Sequence, residues 1–336
     1  MKVSELGEFG LIERLTEVLA AENDGVAPER LLVGIGDDAA VWRNDTSATV
    51  ATTDTLVADV HFLPGRTPWR DVGWKSIAVN VSDIAAMGCW PNFALITLGL
   101  PADIESDDME ELYAGVGEAA KNYGVTVTGG DVVRAPVVFV SVVLTGRAEL
   151  DDDGQARVLL RSGAKAGDKI AVTGSLGAAA AGLRVLLRGG GESEDEQELI
   201  DRHQRPDARV EAGTTALDLG IRCGIDISDG LLRDLAHVCQ ASDVGANIQS
   251  EQLPIDSALK QVFEPAQALA LAAGGGEDYE LLLVGEETLL EELGEQIDVP
   301  LTVIGEITAD DAHRVRLLTA SGQGIELPSE GWDHLA

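Results

Sequence analysis

The chain is short of positive charge. Its 336 residues carry 24 Lys and Arg against 58 Asp and Glu, a formal net charge of −34 at pH 7. Only six of the basic residues are Lys. A nucleic-acid interface needs a basic footprint and an anionic membrane attracts one, so neither is an expected partner. Cysteine is scarce too: Cys89, Cys223 and Cys239 are odd in number and form no CxxC pair. That argues against a disulfide framework or a zinc site and for buried free thiols. No 18-residue apolar run exists, so no membrane span is expected. Met1–Leu6 lacks a basic start followed by an apolar stretch, so no signal peptide is expected and the cytoplasm is the expected location. Aromatic residues make up only 4% of the chain. A late Trp332 is therefore conspicuous, as an edge anchor, a stacking platform or a core residue.

Apolar residues, 45% of the total, are spread over the whole length. That content suits two globular domains, placed at residues 1–148 and 149–336. The acidic residues are also spread, with runs at Asp151–Asp153 and Glu192–Glu198. A calcium-storing surface would account for them. Solvation in very high salt accounts better for their even spread, because roughly 1 M salt shortens the Debye length to about 3 Å and screens self-repulsion. The expectation is a salt-accumulating source.

Apolar spacing predicts helices at Ile12–Ala20, 74–87, Asp107–Tyr123, an Ala-rich stretch ending at Leu187, Asp207–Leu219 and Gly230–Gln240. Gly88 is a helix stop, and Asn80 and Asp83, three apart, share one face. Strand-like pieces lie near 31–35, 39–43, 48–53, 93–100, 125–128, 136–146, 169–173, 280–284 and 301–304. Ala148–Val158 reads as a hairpin tip or domain joint, and Gly189–Glu198 as a polar loop. Helices and strands without strict alternation predict two α+β domains.

Several strand-like segments run into Gly and Asp: Gly34-Ile35-Gly36-Asp37-Asp38, Thr52-Thr53-Asp54, Gly129-Gly130-Asp131 and Asp226-Ile227-Ser228-Asp229. Asp83 adds a helical carboxylate. Each alone reads as a turn residue; the recurrence points to a shared rim. Carboxylate oxygens suit Mg²⁺, which bridges carboxylates to phosphates. Two carboxylates 4 Å apart repel by about 4 kcal/mol at an effective dielectric of 20, so such a cluster calls for cations. Gly129-Gly130 and Gly174-Ser175-Leu176-Gly177 permit the close backbone approach that phosphate loops need; the P-loop pattern is absent. Ser228 and Asp229 stand where a helix N-cap belongs. Gly274-Gly275-Gly276 before Glu277 predicts a loop that contacts something. His61 and His203 are isolated, and surface or loop roles fit their pattern.

Taken together, these motifs resemble the thiamine-monophosphate kinase family. The matching stretches are Gly7-Glu8-Phe9, Gly34–Ala39, Thr53–Phe62, Ser82–Gly88, Gly129-Gly130-Asp131, Arg161–Asp168, Asp226–Leu231, Gly275–Leu281 and Gly331–His334, nearly full length and in order. Sister branches fit less well: the early Cys of selenophosphate synthetases, the C-terminal Cys of the hydrogenase-maturation proteins and the Lys-bearing Gly-rich motif of the purine branch are all missing. The resemblance implies an aminoimidazole-ribonucleotide synthetase-like α+β fold, with an N-terminal mixed-sheet dimerisation domain and a C-terminal α+β domain. It implies a homodimer that phosphorylates thiamine monophosphate with ATP and several Mg²⁺ ions. It assigns Mg²⁺ to Asp37, Thr52, Thr53, Asp54, Asp83, Asp131, Asp226 and Asp229. ATP falls to Tyr113, Gly130, Asp131, Arg161 and Ser228, and the substrate to His61, Glu277 and Trp332. Catalytic weight falls on Asp131, Asp226 and Arg161. A sister ligase, or a non-enzymatic cation-binding protein, stands as the alternative.

Overall fold

In the computed structural model Val140, Val142 and Leu144 are fully buried, while Val143 between them is 42% exposed. That alternation is the period of a strand with one covered face. The strand is β6 (Phe139–Ala148), and it lies in a sheet with β1 (Leu31–Val33), β2 (Ala40–Arg43), β3 (Ala48–Val57), β4 (Trp90–Leu100) and β5 (Thr126–Arg134). The order is β1-β2-β3-β6-β4-β5. Only β4 and β5 run parallel, joined by a crossover through α2 (Ser106–Tyr123). The structure describes residues 31–33, 36–44, 46–309, 313–327 and 331. Gly7-Glu8-Phe9, the expected helix at Ile12–Ala20, Gly34-Ile35 and Trp332–His334 lie outside the described residues.

A second sheet holds β7 (Lys169–Thr173), β8 (Cys223–Asp226), β9 (Gly245–Gln249), β10 (Leu281–Gly285), β11 (Leu301–Thr308) and β12 (Val315–Leu318). Its order is β12-β9-β11-β7-β10-β8, again with one parallel pair, β12 with β9. Around it are α3 (Ala178–Leu187), α4 (Glu194–Gln204), α5 (Val210–Leu219), α6 (Leu231–Ser242), α7 (Ser257–Val262), α8 (Pro265–Gly274) and α9 (Glu287–Gln296).

Between the sheets lies α1 (Trp69–Ala86). Thirteen of its 18 residues are buried, so it has no single apolar stripe. One side rests on β3 and β6, and the other meets α5 and β8. Each fully buried Val or Ile along it contributes roughly 1.5–3 kcal/mol. Gly73 lets α2 cross closely, since a Cβ there would lie 1.9 Å from the Leu112 carbonyl oxygen.

The structure corrects three expectations. Asp54 and Asp131 do not leave strands. The β3–β6 ladder continues to Val57 opposite Phe139, and the β4–β5 ladder to Leu100 opposite Arg134, past a bulge. Both carboxylates are therefore mid-strand. Secondly, the run Gly189–Glu198 is not all loop. Ser193 caps α4 by accepting from the Glu196 amide, and Glu194, Asp195 and Glu196 fill the first turn, where acidic groups favour the helix dipole. Thirdly, neither Ser228 nor Asp229 caps the helix that follows, which begins after Gly230 with no side-chain cap.

Candidate active site

β3 and α1 bring the carboxylates together. Thr52 and Asp54 point inward from β3 toward Asn80 and Asp83 on the facing side of the helix. The Thr52 hydroxyl donates to Asp83 Oδ2 at 2.5 Å, and the Asp54 amide donates to Asn80 Oδ1 at 3.0 Å. From the second sheet, Asp226 at the end of β8 accepts the Ser82 hydroxyl at 2.6 Å. Asp38, in the loop before β2, accepts Arg161 Nη2 at 2.7 Å. One oxygen from each of Asp38, Asp83 and Asp226 lies within 4.8 Å of the others.

The Asp38 side chain is 1% exposed and Asp226 is 2% exposed. Burial, and then the charge of Asp38, push the Asp226 carboxyl up to about 7. Burial, followed by Asp54, Asp226 and Asp38, pushes Asp83 well above the usual carboxylate range. Asp37 is raised to about 6 by burial and by Asp38. One guanidinium does not balance this set. Hard oxygen donors crowded against their own repulsion fit a divalent cation of the Mg²⁺ kind.

The carried-over residues divide. Thr52, Asp54, Asp83 and Asp226 are drawn to one place. Asp37 is a neighbour, accepting the amides of Asp38 at 3.0 Å and Arg161 at 3.2 Å, and its successor Asp38 takes the place in the three-carboxylate group. Asp229 is turned to Arg233, Oδ2 to Nε 3.4 Å. Thr53 and Asp131 lie on the other face of the first sheet. Thr53 sits opposite the exposed Val143, and Asp131 ends a polar row Thr55–Ser141–Thr97–Asp131 across four strands. Gly130 has a packing reason of its own: a Cβ would lie 1.8 Å from the Ile96 carbonyl oxygen. Tyr113 is 42% exposed on α2. His61 Nδ1 accepts the Val57 amide at 3.1 Å and holds the turn after β3.

Asp234, which the sequence reading missed, orders the Asp226–Gly230 turn. Its Oδ2 accepts the amides of Ser228, Asp229 and Gly230 at 3.1, 3.1 and 3.0 Å. The Ser228 carbonyl in turn accepts the Glu277 amide at 2.7 Å. Glu277 forms an ion pair with Lys75 and lies against His203 Nδ1, so His203 is a buried partner and not a surface residue. Lys75 had a signal: it is one of six lysines and sits inside an apolar helix.

Residues 36–148 match the model of the AIR synthase related protein N-terminal domain, and residues 165–318 that of its C-terminal domain. The thiamine-monophosphate kinase of Escherichia coli K12 is 40% identical over 339 residues, spanning 98% of each chain. The chain belongs to the thiamine-monophosphate kinase family. The family member from Aquifex aeolicus is 36% identical over 99% of this chain and 100% of its own length. A solved structure of AaThiL complexed with AMPPCP and TMP superposes with a TM-score of 0.85 at 35% identity, covering 99% of both chains. Hydrogenase maturation protein HypE in complex with ATP, 19% identical with a TM-score of 0.68, shares the fold. The architecture is thus the two-domain α+β fold of AIR synthase-like proteins.

Proposed function

We propose that the chain transfers a phosphoryl group from ATP to thiamine monophosphate, giving ADP and thiamine diphosphate. The observation that carries this is the convergence of Asp38, Asp83 and Asp226 from three separate segments, in a chain 40% identical throughout to the Escherichia coli kinase. The acceptor is a phosphate oxygen. Its second pKa is about 6, so near pH 7 it is mostly dianionic and needs no general base. The chain's own task is to bind and align two polyanions. Thr52 and Ser82 orient the Asp83 and Asp226 carboxylates, and Arg161 supplies a fixed positive charge beside Asp38. Several Mg²⁺ ions held by Asp38, Asp54, Asp83 and Asp226 would neutralise the phosphates. Asp37 and Asp229 border that set. Tyr113, Gly130, Arg161 and Ser228 are assigned to ATP, and His61, Glu277 and Trp332 to the substrate.

Thr53 and Asp131 are assigned to the same chemistry across a homodimer. The outer face that carries them also exposes Phe93 (52%), Leu95 (50%) and Val143 (42%). A contiguous apolar patch of that kind marks an interface, and a second copy of the chain is the proposed cover. Leu95→Asp should convert a dimer into a monomer by light scattering; a wild-type monomer would remove this assignment. Among the described residues no helix is long and apolar enough to cross a membrane, and a cytoplasmic location is proposed.

The test is which compound, added with Mg-ATP, stimulates ADP release. Thiamine monophosphate is expected. A formamidine acceptor would move the chain to the sister ligases. Weak multivalent Ca²⁺ binding without ATP affinity would leave a cation-binding protein.

A further inference from the structure

Lys75 is 1% exposed, on the second turn of α1. Its Nζ lies 2.6 Å from Glu277 Oε1, and His203 Nδ1, from α4, lies 3.0 Å from Glu277 Oε2. Each carboxylate oxygen has its own partner, one from the helix under the first sheet and one from a helix beside the second. The network is open on one side only. The side chains of Lys75 and His203 are 2% and 3% exposed, while that of Glu277 keeps 24%.

The loop holding Glu277 is bent to present it. Glu277 has φ 69° and Tyr279 φ 51°, left-handed conformations that bulky residues keep only where their surroundings over-determine them. Those surroundings are visible: the Glu277 amide donates to the Ser228 carbonyl at 2.7 Å and the Tyr279 amide to the Ile227 carbonyl at 2.9 Å. The loop is thereby stitched to the segment that bears Asp226. Burial opposes a charge on Glu277, but the Lys75 ammonium and then His203 outweigh it and hold the carboxyl well below its usual range. Burial, then Lys75, lowers His203, and its imidazole is held with Nδ1 against the second carboxylate oxygen. Eight residues separate Lys75 from Asp83, about 12 Å of helix at 1.5 Å per residue. That length accommodates a substrate with its ring at Glu277 and its phosphate at the carboxylate cluster.

We propose that Lys75 and His203 are positioning residues that fix the Glu277 carboxylate as the anion facing the cationic thiazolium ring of thiamine monophosphate. This rests on the reading of Glu277 as a substrate contact. A carboxylate anchored on two sides and open on the third offers a directed negative charge. A permanently cationic ring is the part of this substrate that such a charge recognises.

Steady-state kinetics on Glu277→Gln, Lys75→Met, His203→Gln and the Lys75→Met/Glu277→Gln pair test the proposal. Glu277→Gln and Lys75→Met should each raise KM for thiamine monophosphate by about tenfold and leave KM for ATP within about twofold. The paired variant should be no worse than Glu277→Gln alone, because Lys75 acts through Glu277. His203→Gln should raise the same KM by a smaller factor. An analogue with a neutral ring should show no KM difference between wild type and Glu277→Gln. Lys75→Met strands a buried carboxylate; if it does not fold, the charge-neutral pair decides. A pair whose defect equals the product of the single defects, or exceeds that of Glu277→Gln by more than about twofold, overturns the role of Lys75. So does a folded Lys75→Met whose KM for thiamine monophosphate is unchanged while that of Glu277→Gln is raised. An unchanged KM in Glu277→Gln instead overturns the substrate reading of Glu277, and the proposal with it.

Discussion

Asp38, Asp83 and Asp226 place three carboxylate oxygens within 4.8 Å of one another, with one guanidinium beside them. Two turns back along α1, the single carboxylate of Glu277 has an ammonium at 2.6 Å and an imidazole at 3.0 Å. Both groups are buried against the same helix. One is left anionic and the other is balanced from within the chain. The difference separates two uses of buried charge. An unbalanced cluster lowers the stability of the ion-free protein and gives affinity for cations in return. A balanced one holds a side chain in a fixed place. The two should therefore respond in opposite directions when a charge is removed.

The largest effect is expected in the balanced group. Lys75→Met leaves Glu277 buried without its main partner and should cost about 3–5 kcal/mol in urea unfolding. A loss below about 1 kcal/mol would mean that Glu277 is not held by Lys75. In the anionic group, Asp226→Asn should lower thiamine diphosphate formation by about 10²–10³-fold, the usual cost of removing one preorganised electrostatic group. Its stability in EDTA should nonetheless rise, by about 2 °C in Tm, as repulsion is relieved. A falling Tm in EDTA would break the contrast between the clusters.

A smaller, graded effect is expected with pH. The Asp226 carboxyl is raised from 3.8 to about 7, so between those values the folded chain binds more protons than the unfolded one. Stability of the ion-free protein must then fall as pH rises through that window. Mg²⁺, which takes the ionised form, should raise Tm more at pH 7.5 than at pH 5. Scanning calorimetry with EDTA or Mg²⁺ at both values checks this; equal Mg²⁺ effects would contradict it. The most diffuse effect concerns the surface. At a net charge of −34, Tm should climb with molar KCl as repulsion is screened, and a flat response would remove the proposal of salt adaptation.

Much of the site was legible as pattern. The spacing of Asn80 and Asp83 put them on one helix face, and the structure aims both at β3. The strand read at 169–173 is β7 as it stands. What the sequence could not carry was set by distant partners. Whether Asp131 and Thr53 face inward depends on strand register, fixed by the pairing of β3 with β6 and by the bulge between β4 and β5. Motif order cannot show which face a strand residue takes. The choice of Asp38 over Asp37 follows from Arg161, 123 residues away. Lys75 stood out only as a rare lysine among apolar neighbours; its partner Glu277 lies 202 residues further along the chain, and a helix buried on all sides has no polar stripe to point to it. Asp234 falls within the helix expected at Gly230–Gln240 and nothing in the sequence sets it apart, while its carboxylate reaches back to three amides of the preceding turn.

The most direct test follows the transferred group. The protein is incubated with Mg-ATP labelled in its γ-phosphate and with thiamine monophosphate, and the products are separated. The predicted result is label in thiamine diphosphate, one ADP for each molecule formed and no label on the protein. Label released as inorganic phosphate without thiamine diphosphate, or retained on the chain, would contradict direct transfer at this site.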